Sequence, residues 1–321
     1  MNVSILGCGV YGLALANSFL AKKKSKVSMW SKFEKEINVL NEKYLSVSFS
    51  TDLEEATKEA DLLVIAIPVA FLEETMISLR DVYKGQDILI ASKGIDGKGL
   101  RFAHEIVSSY LANAPIGVIS GGTFAQDMQD KKVMGLTLAT TVDSIREKVE
   151  LGLEQSFLKV QYTDDVIGTS VCGAIKNVMA IGFGILDGAN FPPSSRFLFL
   201  TEAIYEIQYF IELLGGNKDT IMSYAGIDDI MMTCTSSQSR NYTMGSMLGS
   251  EKSVAEIEEY KNNTTIEGLG TSHAIYHLAK VKKIDLPICT VIYQILYENH
   301  DYSELVKLLE KRGLRSRMDL N

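Results

Sequence analysis

Histidine is scarce in this chain, with only His104, His273, His277 and His300 among 321 residues. None falls in a loop closing an apolar strand run, so chemistry that needs an imidazole acid in a sheet crevice has no candidate. His273 and His277 have metal-ligand spacing, but no third ligand lies near them, and a solvated helix face is expected rather than a metal site. Cysteine is as rare. Cys8, Cys172, Cys234 and Cys289 are far apart with no CxxC pair, which argues against a disulfide framework and fits a reducing cytoplasm. The longest apolar run, LLVIAIPVAFL at 62–72, is too short to span a bilayer and contains Pro68. Positive charge is not in excess either. A net charge of −8 argues against a nucleic-acid surface, and the basic tail KRGLRSR (311–317) reads as a solvated helix end. Met1 runs almost directly into the strand-like NVSIL at 2–6, so no signal peptide is expected, and no repeat or low-complexity linker appears. These absences predict a cytoplasmic protein with neither nucleic acid nor membrane as a partner.

What is present is patterned. The chain is 46% hydrophobic and 22% charged, within the range of globular proteins, and long enough for two domains. NVSIL (2–6), KVSMW (26–30), DLLVIAI (61–67), DILIAS (87–92), PIGVIS (115–120) and GLTLAT (135–140) are short, near-continuous apolar runs separated by helical stretches. Such runs indicate a parallel sheet covered on both faces, and hence a doubly wound α/β domain. From about residue 168 the pattern turns almost wholly helical. The expected division is residues 1–165 for the sheet domain and 166–321 for an all-α domain.

Directly after the first strand comes Gly7-Cys8-Gly9-Val10-Tyr11-Gly12, a G-x-G-x-x-G sequence opening a helix. Gly7 permits a tight turn, Gly9 lets backbone approach a pyrophosphate, and Gly12 allows close helix–strand packing. The helix N-terminus offers backbone N–H groups to the phosphates. A nicotinamide dinucleotide, NAD or NADP, is therefore the expected cofactor. The second strand ends in Trp30-Ser31-Lys32, without an acid at the usual distance for a ribose hydroxyl. Lys32 and Ser31 suit a 2′-phosphate, so NADP should be accepted; Glu34 and Glu36 nearby leave the preference open.

The stretch TSVCGAIKNVMAIGFG (169–184) sets one lysine, Lys176, and its neighbour Asn177 among small apolar side chains. The lysine either reaches water along its stem or is kept inside for chemistry. Partly desolvated and near other cations, an ammonium has a pKa lowered toward the range useful for proton transfer. Further polar groups fall in strand-end loops, Ser92-Lys93-Gly94 and Ser120-Gly121-Gly122-Thr123, or in the helical half as Asp228-Asp229 and Ser239-Arg240-Asn241. Arg240 could grip a phosphate or carboxylate through its planar fork. Singly, Lys93 and Arg240 read as loop charges and Asp229 as a helix cap. Together they suggest a small-anion site beside a nicotinamide.

With these motifs the chain resembles the bacterial NAD(P)-dependent glycerol-3-phosphate dehydrogenases. The resemblance runs through GCGVYGLALA, ASKG, ISGGTFAQD, GTSVCGAIKNVMAIGFGILDG, AGIDDIMMTCTSSQSRNYTMGSMLG, IEG and LPICTVIYQILYE, nearly the whole chain. It implies interconversion of dihydroxyacetone phosphate and sn-glycerol 3-phosphate, feeding glycerophospholipid synthesis. Carried over by motif, Lys176 becomes the proton donor and acceptor. Lys93, Gly121, Thr123, Lys176, Asn177, Asp229, Ser239, Arg240 and Asn241 become substrate-binding. Val10, Tyr11, Lys32, Lys93, Ala125, Arg240, Thr265 and Glu267 would join Gly7, Gly9 and Gly12 at the cofactor. Folds of this kind commonly pair through helical domains, so a homodimer is implied.

The chain departs from the family pattern in places. Gly121-Gly122-Thr123 stands where GPS or GPT is usual, and GIDDI stands for GLGDL, adding Asp228, which is expected to point away from a phosphate site. Residues 41–53 are shorter than the family's loop, and Val10 replaces a small polar residue. Two other readings stay open: a related β-hydroxy acid dehydrogenase, disfavoured by Asp229 and Ser239-Arg240-Asn241, and a non-catalytic NAD(P)-binding sensor.

Overall fold

The computed structural model describes residues 1–21, 25–153 and 156–311, so most of the basic tail lies outside the described residues. One sheet holds eight strands: β1 (Asn2–Leu6), β2 (Lys26–Trp30), β3 (Val47–Ser50), β4 (Leu62–Ile65), β5 (Asp87–Ile90), β6 (Ile116–Ser120), β7 (Met134–Ala139) and β8 (Leu158–Thr163). Their spatial order is β3-β2-β1-β4-β5-β6-β7-β8. Between them run α1 (Val10–Leu20), α2 (Glu34–Lys43), α3 (Leu53–Thr57), α4 (Leu72–Val82), α5 (Ala103–Tyr110), α6 (Ala125–Gln129) and α7 (Asp143–Leu153).

The central strands read as continuous apolar runs because helices cover both faces. In β4, Leu62 and Val64 pack with Leu15 and Phe19 of α1, while Leu63 and Ile65 pack with Met76 and Leu79 of α4. Side chains alternate between faces along a strand, so each strand feeds both cores. The chain leaves β1 toward β2 on one side and reaches β4 on the other, which opens a crevice above their carboxyl ends.

The sheet is not wholly parallel: β7 runs antiparallel to β6, with Val118 opposite Ala139. The segment joining them holds only the five-residue helix α6, too little to cover a parallel crossover. Two strands escaped the sequence reading, β3 and β8. Both are edge strands with a half-solvated pattern, so neither presents a continuous apolar run.

The second half is helical: α8 (Val166–Gly188), α9 (Pro193–Leu213), α10 (Asp229–Thr235), α11 (Arg240–Gly249), α12 (Val254–Asn263), α13 (Glu267–Lys282), α14 (Pro287–Tyr297) and α15 (Ser303–Lys311). Strand β8 ends at Thr163, and Asp165 caps α8 by accepting a hydrogen bond from the Gly168 N–H at 2.9 Å. α8 is long and apolar enough to cross a membrane by length and composition, yet 83% of that window is buried inside the protein. It is the core helix of this half. Its neighbour α11 lies backbone to backbone against it. A Cβ on Gly184 would stand 2.2 Å from the Tyr242 carbonyl oxygen, and one on Gly245 would stand 2.1 Å from that of Ile181. Along one row of contacts Ile181 meets Gly245 and Ile185 meets Gly249, and along the other Gly184 meets Tyr242 and Gly188 meets Ser246. Each row advances together on both helices, so α8 and α11 run parallel, and the start of α11 lies beside Asn177 and its neighbour Lys176.

Candidate active site

A cleft of about 570 Å³ opens at the carboxyl ends of the strands. Its floor is the loop Gly7–Gly12. Gly7 adopts φ +115°, and a Cβ there would meet the Ala66 carbonyl oxygen at 2.5 Å; a Cβ on Gly12 would meet that of Gly7 at 2.2 Å. Around Gly9 nothing lies within 4 Å of where its Cβ would be, so the backbone faces open space. Gly9 is also the N-cap of α1, with no capping side chain and no acid in the first turn. Those free N–H groups and the positive end of the helix suit a pyrophosphate. The loop fits a dinucleotide.

One end of the cleft is lined by Trp30, Ser31, Lys32, Phe33, Glu36 and Phe71. The Trp30 indole N–H donates to the Thr51 carbonyl at 2.9 Å. Lys32 pairs with Glu74 at 3.4 Å, and its ammonium stands 5.5 Å from the ring centres of both Phe33 and Phe71. The Ser31 hydroxyl donates to a Glu36 carboxylate oxygen. Burial, and then the charge of Glu36, push the Cys8 thiol up to about 12, so this cysteine is unreactive.

The other end reaches a buried ionic cluster. Asp229, fully buried, accepts from the Lys93 ammonium at 3.0 Å through one carboxylate oxygen and from Lys176 through the other. Lys93 also donates to the Gly121 carbonyl at 3.2 Å. The two lysines are driven apart. Burial, aided by the charge of Lys93, lowers Lys176 to about 8 against the opposing pull of Asp229. Burial works against Lys93 as well, but there Asp229, Tyr11 and Glu267 outweigh it and raise its pKa. One cation thus stays charged while its neighbour titrates near neutral pH, the property a proton donor needs.

Beside this cluster the Asn241 amide donates to the Asn177 side-chain oxygen at 2.9 Å and accepts the Gly268 N–H at 2.8 Å. Asn177 in turn donates to Glu267 at 3.2 Å. Ser239 is the N-cap of α11, accepting the Tyr242 N–H at 3.2 Å. Arg240 begins that helix and is exposed on the cleft wall, as is Glu267 at the start of α13. Lys93 and Thr123 also line the cleft, whereas Lys176, Asn177, Asp229 and Asn241 lie behind it. Thr265 is exposed and outside the cleft lining, and the side chain of Ala125 lies outside the described residues. Among the described residues the buried hydroxyls of Tyr11 and Thr123 have no hydrogen-bond partner, which suits groups that face a ligand.

Asp228 is exposed and absent from the cleft lining, but its carboxylate lies against the Gly122 backbone N–H, where a Cβ on Gly122 would approach it to 2.6 Å. Among the described residues no group of three or more His, Cys, Asp or Glu could hold a metal ion. His273 and His277 sit 4.3 Å apart, between ring centres, in an aromatic cluster with Tyr293.

Sequence reasoning missed Phe33 and Phe71 on the cleft wall. Phe71 sits in IPVAF, directly after β4, and the strand-end rule applied to that strand would have found it. Ser92 was noted as a strand-end residue, but not its task. Its hydroxyl donates to the Ile67 carbonyl at 2.6 Å and accepts the Ile67 N–H at 3.2 Å, tying the β4 and β5 loops together.

The chain is similar to known proteins along nearly its whole length. Residues 2–145 match a family described as NAD-dependent glycerol-3-phosphate dehydrogenase N-terminus, and residues 165–307 match its C-terminus counterpart. A glycerol-3-phosphate dehydrogenase [NAD(P)+] of Staphylococcus saprophyticus is 31% identical, over 98% of this chain and 99% of the relative. The crystal structure of glycerol-3-phosphate dehydrogenase from Coxiella burnetii superposes with a TM-score of 0.89 at 28% identity, covering 97% of this chain and 99% of that one.

Proposed function

The chain belongs to the NAD(P)-dependent glycerol-3-phosphate dehydrogenases, and on that premise we propose that Lys176 carries the proton of the reaction. The enzyme interconverts dihydroxyacetone phosphate and sn-glycerol 3-phosphate. The observation that carries the role of Lys176 is the buried triad: one carboxylate, Asp229, shared by a lysine held charged and a lysine lowered to about 8.

The Gly7–Gly12 loop and the N-terminus of α1 would hold the nicotinamide cofactor, which when bound would supply or take up the hydride. The protein manages charge and position. In reduction, the Lys176 ammonium gives its proton to the carbonyl oxygen and is left as a neutral amine; in oxidation the amine takes the hydroxyl proton. Asp229 orients both ammonium groups. Lys93 spans the cleft lining and this carboxylate, so its fixed charge suits the same substrate oxygen or the phosphate edge. Arg240 and the N-terminus of α11 suit the phosphate itself, one through a planar fork and the other through backbone N–H groups. Asn177 and Asn241 brace the starts of α11 and α13, Ser239 caps the former, and Gly121 receives Lys93.

Val10, Tyr11, Thr123, Ala125, Thr265 and Glu267 complete the proposed contacts, with the Thr123 hydroxyl facing substrate. We place the division between the two domains near residue 165. A homodimer paired through the helical half, working in the cytoplasm and supplying glycerophospholipid synthesis, completes the reading.

Purified protein is expected to oxidise NADH or NADPH only when dihydroxyacetone phosphate is present. Lys176→Ala should lose about 10²–10⁴-fold in kcat, the usual worth of a positioned acid. Its NADH affinity should stay near normal, because Lys176 lies behind the cleft lining. A variant with near-normal kcat would remove Lys176 from the proton's path.

A further inference from the structure

We propose that Glu36, oriented by Ser31, makes this enzyme select NAD(H) over NADP(H). The inference rests on the dehydrogenase reading and concerns the end of the cleft remote from Lys176. The sequence alone places Ser31 and Lys32 where a 2′-phosphate would be welcome. The structure redistributes both. Ser31 is buried, and its hydroxyl donates to Glu36, so the carboxylate rather than the hydroxyl is presented. Lys32 is drawn to Glu74 at 3.4 Å, which offsets its charge.

Glu36 is well placed for an adenosine ribose. It lines the same cleft as the glycine loop, and its charge is felt at Cys8 inside that loop. A carboxylate beside the first turn of a dinucleotide fold accepts hydrogen bonds from ribose hydroxyls and repels a phosphate on the 2′ oxygen. Here the acid comes six residues after the end of β2 rather than at the strand end itself, which hides it from a motif search. The first turn of α2 brings it back, and the Ser31 bond fixes its direction. The charged side chains lining this end of the cleft are Lys32, paired with Glu74 just outside the lining, and Glu36, which has no ion-pair partner among the described residues. A phosphate dianion would meet net negative charge.

Binding tests this without turnover. Calorimetry on the full chain would compare ADP-ribose with its 2′-phosphate derivative, and NADH with NADPH. The 2′-phosphate form should bind on the order of tenfold more weakly or worse, since like-charge juxtaposition is strongly unfavourable. The gap should narrow as salt is added, because the repulsion is screened. Glu36→Gln, which keeps shape and removes charge, should bring the pair to within about threefold by the same reasoning. Equal or tighter wild-type binding of the 2′-phosphate form would overturn the inference, and that comparison needs no variant. A Glu36→Gln protein that discriminates as before would overturn the assignment to Glu36. If none of the four nucleotides bound, the dehydrogenase reading itself would fall, an outcome distinct from loss of selectivity.

Discussion

Lys176 and Lys93 share one carboxylate yet serve different ends, because the balance of burial and charge differs at each. The lowered pKa of Lys176 has a directional consequence. Reduction needs its protonated form, so kcat/KM for dihydroxyacetone phosphate should fall as pH rises through about 8. Oxidation needs the neutral amine, so kcat/KM for glycerol 3-phosphate should fall as pH drops below the same value. Initial-rate pH profiles in both directions would check this, and two profiles with the same slope would refute it. Asp229 opposes the lowering, so Asp229→Asn should move the break further down. It also strands two buried cations, a cost of about 3–5 kcal/mol when one partner of a buried pair is removed. Thermal unfolding would measure that loss beside the shifted profile.

At the scale of elements, the glycine contacts of α8 and α11 set where the second helix begins. Gly184→Ala would place a methyl 2.2 Å from a backbone oxygen, which cannot rotate away. The helices must separate, at about 1–3 kcal/mol for an overpacked contact. Arg240 would move from Lys176, so KM for dihydroxyacetone phosphate should rise. A lower Tm with unchanged KM would mean that this register does not position the site. The β6 loop is coupled to the turn before α10 in a comparable way. Gly122→Pro would remove the N–H facing Asp228 and collide with its carboxylate. Asp228→Gly in the same chain should relieve most of that loss, a coupling of about 0.5–3 kcal/mol between touching residues. Strict additivity in unfolding experiments would show the two departures from the family pattern to be independent.

Across the whole molecule, what was legible in the sequence was what is local. The glycine loop, the central strands and the core helix declare themselves through spacing and burial on both faces. Edge strands β3 and β8 did not, since one of their faces is wet. The reversal at β7 follows from how little helix the β6–β7 connection contains, which apolar runs do not record. The site was legible as residue types but not as a circuit. Lys93 and Asp229 lie 136 positions apart, and only the docking of helical half on sheet joins them. Ser31 illustrates the converse: its partner Glu36 is only five positions away, and the bond between them sets where the hydroxyl points.

Trp30 is the single tryptophan of the chain, and it stands on the wall of the cofactor cleft with its indole N–H fixed to Thr51. Indole emission overlaps the absorption band of reduced nicotinamide. All tryptophan fluorescence therefore originates at one place, with no background from the helical half. Titration with NADH should quench it by energy transfer and saturate at one equivalent per chain, while dihydroxyacetone phosphate alone should leave it unchanged. An emission unaffected by NADH would separate Trp30 from the occupied cleft. The fold has built an optical gauge of cofactor occupancy into the end of its second strand.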